Sequence, residues 1–207
     1  MRHFFRSTVV ALLVALPSIA AAQTITFEGL GDGALIPNGY SGLNWQNMYT
    51  LNGTTYGPSG YQNGRVSGDM VAYNGFGDPS AVLLGTSPFT LNSGWFTAAW
   101  QDQLTLDMTG YVGGVATYFA SNILDTNGPS FLTFDWMNLD QVTFTTSGGV
   151  PSQYYNGTGA EHFAVDNLTI NAEVTAAPEP ASVVLLATGL LGVGVVARRR
   201  RKNAPTA

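Results

Sequence analysis

Apolar and polar residues alternate with a period of two along much of the chain. The alternation is clearest in residues 24–27, 103–108, 132–136 and 142–145, where apolar side chains occupy every second position. A period of two places apolar side chains on one face of a β-strand, and segments rich in Gly, Asn and Asp separate these runs. No segment between residues 23 and 177 keeps a helical period. The pattern therefore predicts an all-β domain, specifically an antiparallel β-sandwich.

The last predicted strand changes phase along its length. In Phe163–Ile170 the apolar positions are 163 and 165, and then 168 and 170. A one-residue change of phase inside a strand is what a β-bulge produces, and the pattern places it at Asp166–Asn167. Because a bulge redirects side chains, Asp166 is expected to be more than a solvated surface residue.

An apolar run near the N-terminus is too short to cross a bilayer. Val9–Leu16 follows a positively charged start and is closed by Pro17. Ala20 and Ala22 then supply small residues at the cleavage positions. These features predict a signal peptide over residues 1–22 and a mature chain that begins at residue 23; the alternative is an N-terminal anchor helix.

A second apolar run near the C-terminus has different surroundings. Pro178, Glu179 and Pro180 precede it, and it extends from Ala181 to Ala197. A helix of this length spans about 25 Å, which is enough for a thin bilayer. A basic cluster follows directly, formed by Arg198, Arg199, Arg200, Arg201 and Lys202. By the positive-inside rule, the run is predicted to be a single transmembrane helix with the cluster in the cytoplasm and all upstream residues on the outer side.

This order of three parts resembles the PEP-CTERM sorting signal of Gram-negative bacteria. The resemblance covers residues 178–202; Ala177 stands where Val is usual, and a short tail, residues 203–207, follows the basic cluster. It implies an exported protein that the membrane protease and transpeptidase exosortase processes near the Pro-Glu-Pro motif. It also implies an inner-membrane intermediate with a periplasmic ectodomain, followed by the cell surface or an extracellular matrix or biofilm rich in exopolysaccharide.

The segment between the two targeting signals, residues 23–177, is strongly acidic. Arg65 is its only Lys or Arg, against twelve Asp and Glu, so its net charge is −11. One cation cannot neutralise a nucleic-acid backbone or hold a phosphorylated ligand, which excludes nucleic acid as a partner. An acidic surface instead suits calcium or neutral polymers. The chain contains no cysteine, so disulfides do not stabilise it.

A second resemblance covers most of this ectodomain. Residues 25–28, 40–45 and 163–168 are similar to a recurrent ectodomain of PEP-CTERM proteins and to jelly-roll sandwiches of the carbohydrate-binding and lectin-like kind. The resemblance implies that the first and last strands lie side by side, with a structural calcium ion there. Glu28 and Asp166 occupy the matching positions; the alternative is a solvated Glu28 and a turn-capping Asp166.

Four tryptophans and nine tyrosines offer flat apolar rings that could stack on sugars. Trp136 is in phase with Leu132 and Phe134 and is predicted to belong to the core. Trp45 and Trp95 are the candidates for carbohydrate binding. No catalytic residue is predicted, because His162 is the only His after residue 22 and no Cys is present.

These observations favour a non-enzymatic surface or matrix protein that binds or organises exopolysaccharide. The alternative is a small secreted polysaccharide hydrolase or lyase that uses two ectodomain carboxylates. Ice binding is a third possibility and ranks last, since Thr143, Thr145 and Thr146 do not form a regular array.

Overall fold

Nine β-strands and two short helical turns make up the part of the chain that the computed structural model describes, residues 21–76, 78–155, 157 and 160–174. The strands are β1 (Gln23–Ile25), β2 (Leu43–Gln46), β3 (Met48–Asn52), β4 (Met70–Asn74), β5 (Ser80–Ala98), β6 (Gln101–Val112), β7 (Val115–Leu124), β8 (Ser130–Pro151) and β9 (Phe163–Ile170). A 3₁₀ turn spans Tyr40–Gly42, and a one-turn helix, α1, spans Gly60–Asn63. The all-β prediction is confirmed.

The chain divides into two units, Met1–Ala172 and Glu173–Ala207, and all nine strands belong to the first. Residues 1–20 of the predicted signal peptide, and the whole predicted sorting region at 178–202, lie outside the described residues. In the described part of the chain, no helix has both the length and the apolar character needed to cross a membrane.

All strand pairs are antiparallel. The strands follow the order β3-β4-β9-β5-β8-β6-β7, while β1 pairs with β9 and β2 pairs with β5. The first and last strands therefore lie side by side, as the jelly-roll resemblance implies. Their register joins Thr24 to Thr169 and Ile25 to Leu168.

Two long strands, β5 and β8, connect the two layers of the sandwich. Each of them contributes one part of its length to the first layer and another part to the second. The first part of β5 pairs with β2 and with residues 141–145 of β8. Its last part, residues 91–98, pairs with β9 and with residues 130–136 of β8. The register shifts between residues 84 and 93 of β5 mark the corner where the strand passes from one layer to the other.

The core between the layers is rich in aromatic rings. Phe96, Phe144 and Phe163 are almost fully buried, and the last two are stacked with their ring centroids 5.4 Å apart. Each such ring contributes about 1.5–3 kcal/mol through burial. Trp136 is 7% exposed and stacks on Tyr118, so its predicted core position is confirmed.

A second, smaller apolar cluster lies under α1, on the far side of the sheet from the main core. Its buried members are Leu51, Tyr61, Val71, Tyr73, Ala99 and Ala164. The close approach of α1 requires Gly60, because a Cβ atom there would lie 1.7 Å from the carbonyl oxygen of Ala98. The segment from α1 to β4 thus lies against the outer face of this layer.

The predicted bulge in β9 is confirmed. Ser93 pairs with Thr169 and Trp95 pairs with Asp166. Between these two pairs β5 advances by two residues and β9 by three, so β9 contains one extra residue. Asn167 adopts a positive φ of 49°, which is typical of a bulge residue. The bulge leaves the side chain of Asp166 fully buried.

Candidate functional site

The two carboxylates singled out by the sequence, Glu28 and Asp166, hold the same loop. Asp166 Oδ2 accepts hydrogen bonds from the backbone N–H groups of Val66 (2.7 Å) and Ser67 (2.8 Å). Glu28 Oε1 accepts from the backbone N–H groups of Asp69 (3.0 Å) and Met70 (2.8 Å). Together they fix residues 66–70, which connect α1 to β4. This loop clamp, formed by Glu28 and Asp166, secures the loop against the sheet.

Asp166 satisfies its other oxygen as well. Oδ1 accepts from the backbone N–H of Asn167 at 2.7 Å and from the Ser67 hydroxyl at 3.4 Å. Burial raises the pKa of Asp166, and the hydrogen bonds from Ser67, Val66 and Asn167 act in the opposite direction. Both oxygens act only as acceptors, which is the bonding pattern of an ionised carboxylate.

The arrangement does not fit a cation held between Glu28 and Asp166. The N–H groups around Asp166 direct the positive ends of their dipoles at the oxygens that calcium would need. Among the described residues, no group of three or more His, Cys, Asp or Glu side chains gathers at one place. Calcium binding stays an untested prediction, and the geometry gives the two carboxylates a different role.

Trp45 belongs to the core, and its prediction as a sugar-stacking residue is corrected. It is 3% exposed, its ring meets Phe27 edge-on at 5.6 Å, and its Nε1–H donates to the carbonyl oxygen of Tyr40 at 3.0 Å. A ring enclosed in this way has no face for a ligand. Its strand is short, and the sequence did not show which side of β2 packs against Phe27.

Trp95 lies on the outer face of the sandwich. Its neighbour Phe96 is fully buried in the core, and Trp95, which points the opposite way along β5, is only half-buried. Phe131 is the cross-strand partner of Trp95 on β8 and is 53% exposed. The two ring centroids are 4.9 Å apart with the planes inclined at 46°. We call this pair the aromatic platform.

Beside the aromatic platform, one row of hydroxyl side chains crosses four strands. Thr24 on β1 pairs with Thr169 on β9, Thr169 pairs with Ser93 on β5, and Ser93 pairs with Thr133 on β8. None of the four is buried, and the Thr24 and Thr169 hydroxyl oxygens lie 3.2 Å apart. This hydroxyl row lies two residues from the platform along β5. The outer face thus offers apolar rings next to groups that both donate and accept hydrogen bonds.

The loop clamp lies directly beside the platform. Asp166 is the β9 partner of Trp95, so the loop that its carboxylate holds approaches the same face. Val66 in that loop is 39% exposed. Asp166 therefore ties this loop to the strand position next to Trp95.

His162 lies in a packed environment at the edge of the second apolar cluster. Its Nδ1 atom is 2.7 Å from the Tyr61 hydroxyl, and its ring lies 6.1 Å from that of Tyr73. Burial lowers the pKa of His162, which favours the neutral imidazole. Burial also raises the pKa of Tyr61 well above its ordinary value, and nearby Tyr73 adds to that increase. Neither group is therefore charged near neutral pH.

Neither Phe131 nor the hydroxyl row was predicted from the sequence. Phe131 precedes Leu132, so it occupies the outward phase of a strand whose inward phase is apolar. An aromatic residue at an outward position of a strand indicates an exposed ring, which is a signal for a binding surface. The hydroxyl row has no such signal, because its four members come from four separate strands.

Comparison with known proteins assigns one part of the chain. Residues 176–201 match the PEP-CTERM protein-sorting motif. The chain carries a PEP-CTERM sorting motif. The motif marks an exported protein that is destined for the cell surface and handled by an exosortase. The matched residues lie outside the described part of the chain.

The other comparisons concern the whole chain. A search of curated proteins finds no match. Among solved structures, the chain is similar to TmCBM61, determined in complex with β-1,4-galactotriose, with 7% sequence identity and a TM-score of 0.38. The similarity covers 70% of this chain and 100% of that structure.

Proposed function

We propose that the protein is a non-catalytic surface or matrix protein whose β-sandwich binds a neutral polysaccharide at the aromatic platform. The supporting observation is the pairing of Trp95 with Phe131 on an outer face, beside four hydroxyl side chains. Flat rings cover the apolar C–H faces of sugars, and hydroxyl groups exchange hydrogen bonds with sugar hydroxyls. Delivery by the PEP-CTERM motif brings this face into contact with extracellular polymers.

Charge supports a neutral ligand over an anionic one. Arg65 is the only Lys or Arg of residues 23–177, and it already pairs with Asp69 at 3.2 Å. A polymer rich in carboxylate or sulfate groups would meet a net charge of −11 and no clamp of basic side chains. Neutral glucans, galactans and related polymers carry no such penalty.

The test is a binding assay with the processed, secreted protein against a panel of neutral and acidic polysaccharides, including the polymer of its own host. Trp95→Ala and Phe131→Ala should each weaken binding by about two- to tenfold, since one stacking contact contributes about 0.5–1.5 kcal/mol. Phe76→Ala is the matched control: Phe76 is an exposed ring that packs on Tyr49, not on the platform. Equal losses in all three variants, or no binding by the folded wild-type protein, would contradict the proposal.

The same assay separates binding from hydrolysis. Release of new reducing ends, or of unsaturated sugars, by the wild-type protein would show catalysis and would refute the non-catalytic part of the proposal. Retention of the polymer without any change in its length would support it.

A further inference from the structure

One edge of the sheet is open in the described part of the chain. β7 is the last strand in the order and forms a ladder only with β6. At the opposite end, β3 is covered: the backbone N–H of Ile36 donates to the carbonyl oxygen of Met48 at 3.0 Å, and Thr50 N–H donates to that of Ala34 at 2.9 Å. The unpaired N–H and C=O groups of β7 are therefore available to another strand.

β7 lacks the usual protection of an open edge. Proteins generally guard such edges with Lys, Pro or inward-facing charges, and residues 113–124 contain no charged residue and no Pro. Phe119 and Ile123 are 70% and 59% exposed. Both pair with outward-facing threonines of β6, Thr109 and Thr105, so they lie on the same outer face of the strand.

We propose that β7 pairs with β7 of a second copy of this chain, antiparallel and around a two-fold axis at Ser121. This register places Phe119 of each copy opposite Ile123 of the other, and Ser121 opposite itself. It joins residues 118–124, the regular part of β7 that follows its register shift against β6. The two exposed apolar residues are thus self-complementary in one register, which is what a symmetric dimer interface needs.

Charge argues for a second copy over an unlike partner. The neutral strand lies in a segment with a net charge of −11, so copies repel at most other surfaces and meet most readily here. A basic partner would prefer the acidic surfaces that β7 does not offer. Asp107, which pairs with Ser121 on the neighbouring strand, places one carboxylate on each side of the axis. Added salt should therefore screen the residual repulsion and strengthen the dimer.

The first test measures association of the processed protein by analytical ultracentrifugation. We expect a monomer–dimer equilibrium with a dissociation constant on the order of tens of micromolar, because one strand pair buries less than a standard interface. Phe119→Lys and Ile123→Lys should each abolish it, and Val150→Lys, a change at a 50% exposed apolar residue of β8, should not. A wild-type protein that stays monomeric at 1 M salt and several hundred micromolar, or dimers that persist in both β7 variants, would overturn the proposal.

The second test examines the register of the proposed β7–β7 pair. The chain has no cysteine, so Ser121→Cys introduces a single thiol at the proposed two-fold axis. Facing residues of an antiparallel pair have Cα atoms about 4.5–5.5 Å apart, within the range that a disulfide spans. Mild oxidation should cross-link this variant much faster than Ser147→Cys, an exposed control on β8. Equal rates for the two variants would reject the register and the pairing with it.

Discussion

Removing the buried carboxylate of Asp166 should destabilise the fold more than any other change at the loop clamp. In Asp166→Ala, the backbone N–H groups of Val66, Ser67 and Asn167 lose their acceptor in a site that is closed to solvent. Each unsatisfied buried donor costs about 1–3 kcal/mol, and local relaxation and relief from burying a charge offset part of the sum. We expect a loss of about 3–5 kcal/mol in the free energy of unfolding.

Asp166→Asn removes the charge of the side chain while it keeps nearly the same shape. The amide keeps one oxygen acceptor and turns an NH₂ group towards a backbone donor, so we expect an intermediate loss of about 2 kcal/mol. Glu28→Gln, at the exposed end of the same clamp, should cost less than about 1 kcal/mol, because the amide oxygen of Gln can still accept from the N–H groups of both Asp69 and Met70. The expected loss therefore decreases from Asp166→Ala to Asp166→Asn, because Asn keeps one acceptor, and is smallest for Glu28→Gln, because that site is exposed.

The assay is urea unfolding followed by tryptophan fluorescence, with calcium and with a chelator. We expect neither calcium nor the chelator to change the free energy of unfolding, since hydrogen-bond donors occupy the carboxylate of Asp166. A loss below about 1 kcal/mol for Asp166→Ala would refute the assigned role of the network. A stabilisation by calcium that Asp166→Ala removes would show that the residue is a metal ligand after all.

Three further predictions concern other parts of the chain. Burial lowers the pKa of His162 below its ordinary 6.5, so the unfolded state takes up a proton first as the pH decreases. The contribution of His162 to stability should therefore be constant above pH 6.5 and decrease as the pH falls towards the lowered pKa. In thermal melting at a series of pH values, His162→Gln should make the melting temperature less dependent on pH in this range. An unchanged slope in that variant would contradict the assignment. Gly60→Ala should cost about 2–3 kcal/mol because the new Cβ atom meets the Ala98 carbonyl, whereas Gly128→Ala, in open space, should cost little in the same urea titration. Glu179→Ala should leave the precursor with its tail intact in a membrane-fraction immunoblot, and normal processing would rule out the Pro-Glu-Pro motif as the exosortase signal.

Alternation along the strands was sufficient to predict the fold class, because each strand of the sandwich buries one face. It also located the β9 bulge and the core position of Trp136, since both depend on local phase. The alternation failed at Trp45. Its four-residue strand is too short for phase to tell the inward side, and the packing against Phe27 depends on how β2 and the preceding loop meet.

The role of Glu28 and Asp166 could not be read from the sequence for a different reason. The two residues were expected to act together, and they do, but their shared partner is a loop forty or more residues from Glu28 and about a hundred from Asp166. Backbone N–H groups carry no sequence signature, so nothing in the residue types distinguishes a cation from a row of amide donors. Only the tertiary structure shows whether a cation or backbone N–H groups surround the carboxylate.

The aromatic platform and the proposed dimer edge can act at the same time. The platform uses the last part of β5 and the first part of β8, while β7 lies at the end of the sheet order beyond β6. A dimer through β7 would therefore display two platforms, and a polymer long enough to reach both would be held with greater avidity than one site provides. Phe119→Lys should then reduce retention on an immobilised polysaccharide without changing the affinity for a short oligosaccharide. Trp95→Ala should reduce both. If Phe119→Lys instead weakens oligosaccharide binding, the ligand contacts β7 itself, and the separation of the two surfaces is wrong.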